Sequence, residues 1–263
     1  MLQYEFMRNA LIVATVISIL CGIMGVFITA RHLSFLTHTM SEIGFSGASF
    51  GLWVGWTPLN GMLFFTVLSA LAAGMTNRTR PLKGTVISTI SAFFMGLGVL
   101  FLSIAQTSSS YATNILFGSI VGISQTDVQQ ISLIAVFELI LIVFIYRQLK
   151  FEFFDPIGAQ ESIRFNGLIN LIFLIMMSLS VSIVSQIVGA LLVFALLTLP
   201  AAAAQFWGKT VHALIIVSII FALLGTWIGL FLGYLTNLPV TFFITTIETI
   251  IYLISRMISK FCN

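Results

Sequence analysis

Residues 10–30 read ALIVATVISILCGIMGVFITA, an unbroken stretch without a single charged side chain. At 1.5 Å per residue such a stretch makes a helix of about 30 Å, which matches the hydrocarbon thickness of a bilayer. The apolar residues run on without alternation, so the segment is not a barrel strand, and lipid leaves a spanning backbone no other choice than a helix. Eight more apolar runs follow, at roughly 33–56, 62–76, 85–105, 131–146, 168–186, 188–206, 212–235 and 241–255. The third, fifth and ninth of the nine are short. The expectation is an all-α, polytopic transmembrane bundle of about 8–9 spans, with residues 1–263 forming one membrane domain.

Composition agrees. Of the 263 residues 59% are hydrophobic and 7% charged, and the mean hydropathy is +1.13. A soluble domain carries about 25% charge, so a cytosolic enzyme, a nucleic-acid binder and a disordered chain are excluded. The net charge of +3 therefore reports orientation in a membrane rather than a nucleic-acid partner. With nine crossings, Arg31, Arg78, Arg80, Lys83, Arg147, Lys150, Arg164, Lys209, Arg256 and Lys260 fall on one side and Arg8 alone on the other. By the positive-inside rule the first set is cytoplasmic. The C-terminus is then cytoplasmic and the N-terminus outside. The polar stretch from Gln106 to Gln130 is placed outside, as a cap on the bundle.

Three acids lie inside apolar runs: Glu42, Glu138 and Glu248. A charge at mid-bilayer costs on the order of 3 kcal/mol even on the lenient insertion scale, so each needs a partner or a function. Glu42 follows His38 by four residues, which places imidazole and carboxylate on one helix face. That pair suits Zn²⁺, Mn²⁺ or Fe²⁺ and needs further ligands from elsewhere. A hydrogen bond satisfying two buried polar groups is the alternative. Around the pair, Thr37, Thr39, Ser41, Gly44, Ser46, Gly47, Ala48 and Ser49 make this the most polar of the runs. Glu138 and Glu248 are each expected to bond a neighbouring helix, with Glu248, among three threonines, the better candidate for the pathway.

Other features are weaker. Gly208-Lys209-Thr210 resembles the end of a phosphate-binding loop, but Ala203 stands where a glycine is required and no strand precedes it. Cys21 and Cys262 match no disulfide or zinc spacing. Between the fifth and sixth runs, Asp155 before Pro156 reads as an N-cap with a first-turn proline, and Gly167 as the close of a short helix over about 154–167. Such a helix either rests on lipid or docks a cytosolic partner. Pro200, in Leu197-Thr198-Leu199-Pro200, is expected to break a helix and is a possible hinge.

Three stretches resemble the permease subunit of the zinc/manganese/iron family of ATP-binding-cassette importers. The first runs from Gly25-Val26-Phe27 through Arg31 to Ser34 and on to Glu42, with Gly47. The second is Phe154-Asp155-Pro156 with Ala159 and Gly167, and the third, the most specific, is Val188-Gly189-Ala190-Leu191-Leu192-Val193-Phe194-Ala195-Leu196-Leu197-Thr198-Leu199-Pro200-Ala201-Ala202-Ala203-Ala204. In one respect the chain departs from the family, which has an aspartate and then a histidine: here His38 comes first and Glu42 second. The inversion keeps one imidazole and one carboxylate on one face.

The resemblance implies the architecture of the vitamin B12 importer permease and a transport subunit that is not itself an enzyme. It implies several partners: a second copy of the chain, a cytosolic ATP-binding subunit, an extracytoplasmic metal-binding protein and membrane lipid, without nucleic acid. ATP is used by the partner, and no cofactor is bound permanently. The cargo is a divalent transition metal ion held by His38 and Glu42, with Glu248 a possible addition and zinc slightly favoured over manganese. Asp155, Pro156, Ala159, Glu161 and Gly167 become docking positions for the ATPase. The rival classes are a secondary carrier driven by an ion gradient and a membrane scaffold that transports nothing.

Overall fold

The computed structural model describes residues 5–76, 84–105, 114–118, 124–154 and 166–262. Among them are nine long helices: α1 (Glu5–Ala30), α2 (Ser34–Val54), α3 (Pro58–Thr76), α4 (Gly84–Ile104), α5 (Gln125–Phe154), α6 (Asn166–Val188), α7 (Val193–Ala204), α8 (Val211–Thr236) and α9 (Val240–Cys262). A single helical turn lies at 114–117. Seven of the nine are long and apolar enough to cross a membrane. The exceptions are α2, whose composition is too polar, and α7, whose 12 residues make about 18 Å, little more than half a bilayer.

Each apolar run became a helix, and the largest change in extent is at the fifth. Read as 131–146, it is the 30-residue α5, lengthened at both ends by polar residues. At its start Ser124 and Asp127 cap one another: the Asp127 carboxylate accepts from the Ser124 amide at 3.1 Å and hydroxyl at 2.7 Å, and the Asp127 amide donates back to Ser124 Oγ at 3.2 Å. At α8 the Thr210 hydroxyl accepts from the Ala213 amide at 3.3 Å. The residue that resembled a phosphate-loop threonine is thus a helix N-cap.

α1 is the central post. It packs against α8, α7, α5 and α6, while α2, α3 and α4 form a second group joined to the first through α6. Ile17, Leu20, Met24, Phe27 and Ile28 of α1 meet Phe173, Met177, Val181 and Val184 of α6 in the main core. Burial of apolar area cannot drive helices together inside lipid, so close approach at small residues must contribute. Two such contacts stand out. A methyl group on Gly61 of α3 would lie 2.1 Å from the Gly47 carbonyl oxygen of α2. On α8, Gly225, Gly229 and Gly233 form one stripe, and methyl groups there would meet Glu248, Ile244 and Val240 of α9 at 2.2, 2.5 and 2.5 Å.

The elbow between α6 and α7 turns at Gly189, whose φ of +90° lies in the left-handed region that favours glycine. There the Ala190 and Leu191 amides donate to the Ile115 and Leu116 carbonyls, each at 3.1 Å. These bonds tie the turn at 114–117 to the elbow, while residues 106–113 and 119–123 of the stretch expected to cap the bundle lie outside the described residues. α7 does not break at Pro200, which lies buried inside the helix, and the helix continues to Ala204. Asp155, Pro156, Ala159 and Glu161 lie outside the described residues. Gly167, expected to close the helix before it, is instead the second residue of α6, with open space where a side chain would be.

Candidate functional site

α2 is long enough to cross a membrane but too polar to count among the spans, and the bundle shelters it. Thr37, Thr39, Ser41, Ser46, Ser49 and glycines 44, 47 and 51 are all buried. Its hydroxyl seam faces α6: Ser41 Oγ lies 3.4 Å from Ser185 Oγ and donates to the Ala190 carbonyl, and the Thr37 hydroxyl lies 3.6 Å from Met177 Sδ. Close by, Thr66 of α3 and Ser182 of α6 pair at 2.8 Å. Surface so polar could not face hydrocarbon cheaply, which is why α2 sits inside.

His38 and Glu42 occupy the part of α2 that is left open. Their side chains are 39% and 14% exposed, and Nε2 of His38 lies 3.7 Å from Oε1 of Glu42. Two ligands held by one ion at ~2.1 Å in a tetrahedral arrangement would be about 3.4 Å apart. A slight closing of the pair would let both grip a first-row metal ion. Ser91 of α4 donates to the other carboxylate oxygen, Oε2. Phe194 of α7 leans on the imidazole, ring centroids 5.9 Å apart. His38 Nδ1 is buried without a hydrogen-bond partner among the described residues. No third His, Cys, Asp or Glu completes a ligand set among those residues, so the described residues offer a pair rather than a full set.

The other two acids differ. Ser180 of α6 donates to Oε1 of the fully buried Glu138, the neighbouring-helix bond that was expected. Glu248 is also fully buried, but neither of its oxygens has a partner among the described residues, and it packs on Gly225. It does not join His38 and Glu42 in a ligand cluster. An apolar cavity of about 620 Å³ between α2, α3 and α4, walled by Leu36, Ile43, Phe65, Ile87 and Phe94, has no charged side chain in its wall among the described residues.

Sequence reasoning missed Ser91. Nothing in an isolated serine 49 residues from Glu42 marks it. Sequence reasoning also missed the α8 glycines, although their Gly-x-x-x-Gly-x-x-x-Gly spacing is a motif of close helix packing.

A helical membrane bundle with a polar helix sheltered inside it, and an imidazole–carboxylate pair on the open face of that helix, is the architecture of a membrane transport subunit. The model of the ABC 3 transport family matches residues 3–259, and the chain belongs to that family. It is similar to an uncharacterized membrane protein of Cyanophora paradoxa, 31% identical, covering 97% of this chain and 86% of the relative. The manganese transport system membrane protein MntC of Listeria monocytogenes is 28% identical, with 97% and 91% covered. The manganese import system permease protein ScaB of Streptococcus parasanguinis is also 28% identical, with 98% and 92% covered. Among solved structures, a chain of PsaBC from Streptococcus pneumoniae in complex with Fab superposes with a TM-score of 0.87 at 27% identity, over 96% of this chain and 91% of that one.

Proposed function

We propose that this chain is the membrane-spanning subunit of an importer that moves a divalent transition metal ion across the cytoplasmic membrane, and that His38 and Glu42 handle the ion. The single observation that carries the reading is the geometry of that pair, an imidazole nitrogen and a carboxylate oxygen 3.7 Å apart on the open face of a sheltered polar helix. The names of MntC and ScaB favour manganese, against the slight lean to zinc drawn from the residues alone.

Family membership supports the assembly: two copies of the chain, an ATP-binding subunit docked at about 154–167, and an extracytoplasmic protein that delivers the ion. ATP is hydrolysed by the partner, with no resident cofactor here. The basic residues put the C-terminus in the cytoplasm. Two ligands where four to six are usual make a weak site, and weak binding is what release requires. Alternating access then passes the ion from the outer to the inner face, and Pro200, which leaves α7 a backbone hydrogen bond short, is the proposed hinge.

The test is reconstitution in proteoliposomes with the ATP-binding subunit and the binding protein. The importer reading expects ATP hydrolysis stimulated by the loaded binding protein, and Mn²⁺ uptake that stops when the ATPase is omitted. Uptake by the chain alone, driven by an ion gradient, would make it a secondary carrier. A well-folded complex showing neither would be a scaffold.

A further inference from the structure

We infer that Ser91, on α4, is a positioning residue for the transported ion: it holds one oxygen of Glu42 so that the carboxylate offers the ion the other. The inference rests on the reading of His38 and Glu42 given above.

Ser91 has one hydrogen to give, and it donates it to Glu42 Oε2. The only other acceptor described near that hydroxyl is Thr39 Oγ1 at 3.4 Å, and Thr39 directs its own hydrogen to the Phe35 carbonyl at 3.2 Å. An ionised carboxylate is the stronger acceptor, so the hydrogen goes to Glu42. Oε1 is then the oxygen facing His38 Nε2. Tight packing sets the register of α4. Gly98 lies so close to α2 that a methyl group there would come within 2.5 Å of the Phe45 ring and 3.2 Å of the Ser46 Cα. The approach at Gly98 brings α4 near enough for the short serine side chain to reach Glu42.

The chemical consequence concerns denticity. A carboxylate with one oxygen tied down binds through the other alone, which suits a small coordination number. With both oxygens free it can bind as a bidentate ligand, which suits ions that take six or more oxygen-rich ligands. Zinc prefers the first arrangement and manganese tolerates the second. Loss of the Ser91 hydroxyl should therefore lower transport and also shift the balance between the two ions. Hydrogen-bond support of this kind around metal ligands matters by about 10–100-fold in affinity or activity.

The experiment measures maximal initial uptake of ⁵⁴Mn²⁺ and ⁶⁵Zn²⁺ by cells that lack the native permease and carry the full importer with Ser91→Ala, Ser91→Thr or Glu42→Ala. Rates are normalised to permease in the membrane. The same binding protein delivers the ion in every strain, so a changed ratio belongs to the permease. We expect Ser91→Ala to lower zinc uptake by about 10-fold and manganese uptake less, which raises the manganese-to-zinc ratio, and we expect Ser91→Thr to restore both. An unchanged ratio in Ser91→Ala, whether both rates hold or fall together, overturns the inference, because the serine is then only structural support or nothing. Normal uptake by Glu42→Ala is the distinct result that removes the pair itself, and the proposed function with it.

Discussion

Glu42 and Glu248 are both acids on helices of one bundle, yet the protein treats them in opposite ways. Glu42 sits one turn from a histidine, takes a hydrogen bond from Ser91, and keeps a seventh of its surface open. Glu248 is sealed between α8 and α9 with no described partner for either oxygen. A group that handles cargo needs a fixed orientation and access, and only Glu42 has both. The neighbourhoods differ as well. Around Glu42 the helices approach backbone to backbone at Gly47 and Gly61, whereas around Glu248 a glycine makes room for a side chain. Conserving that distinction in experiments is the way to test it.

The largest effect is expected at Gly61→Ala. Its methyl group would be driven against the backbone carbonyl of Gly47, which cannot rotate away, and overpacking of this kind costs about 1–3 kcal/mol. Gly225→Ala meets the end of a side chain that can shift, so its cost should be smaller. It should also vanish in the double variant with Glu248→Ala, a coupling that distant sites would not show. Thermal unfolding in detergent, followed by size-exclusion fluorescence, measures all three. Equal losses for Gly61→Ala and Gly225→Ala would erase the contrast between the two regions.

Next in size is a contrast in transport. Glu248→Gln removes the ionisable group and keeps the shape, and uptake per folded permease should stay within about twofold of wild type, the scatter expected of residues outside a site. A loss as large as that of Glu42→Ala would place Glu248 in the pathway. The smallest expected effect is Thr210→Ala, which removes the α8 cap for about 1 kcal/mol of stability. Uptake should be untouched, and a transport defect without destabilisation would show that the turn before α8 does more than cap.

Much of this was legible in the sequence because hydropathy is a local property. Each of the nine apolar runs corresponds to a helix, and His38 with Glu42 could be read from helical spacing alone. What escaped depends on distant contacts. α7 is short because Gly189 turns the chain after α6, and an apolar run crossing that glycine carries no sign of the elbow. Pro200 was expected to break its helix, yet packing carries α7 past it. The flanking threonines favour Glu248 over Glu138 for the pathway, yet Thr245 and Thr249 bond their own helix and Glu248 is sealed against Gly225, while Ser180 supplies the partner of Glu138. Ser91 is invisible for the same reason, since its meaning comes from Gly98 letting α4 approach α2.

The central claim is that the imidazole and carboxylate on α2 carry the ion. The most direct measurement is the initial rate of Mn²⁺ uptake by His38→Ala, in cells where variant and wild-type permease reach the membrane in equal amounts and the ATPase is present. The account predicts a rate at the background of cells without permease. Uptake at the wild-type rate would contradict it and return His38 and Glu42 to a hydrogen-bonded pair of structural residues.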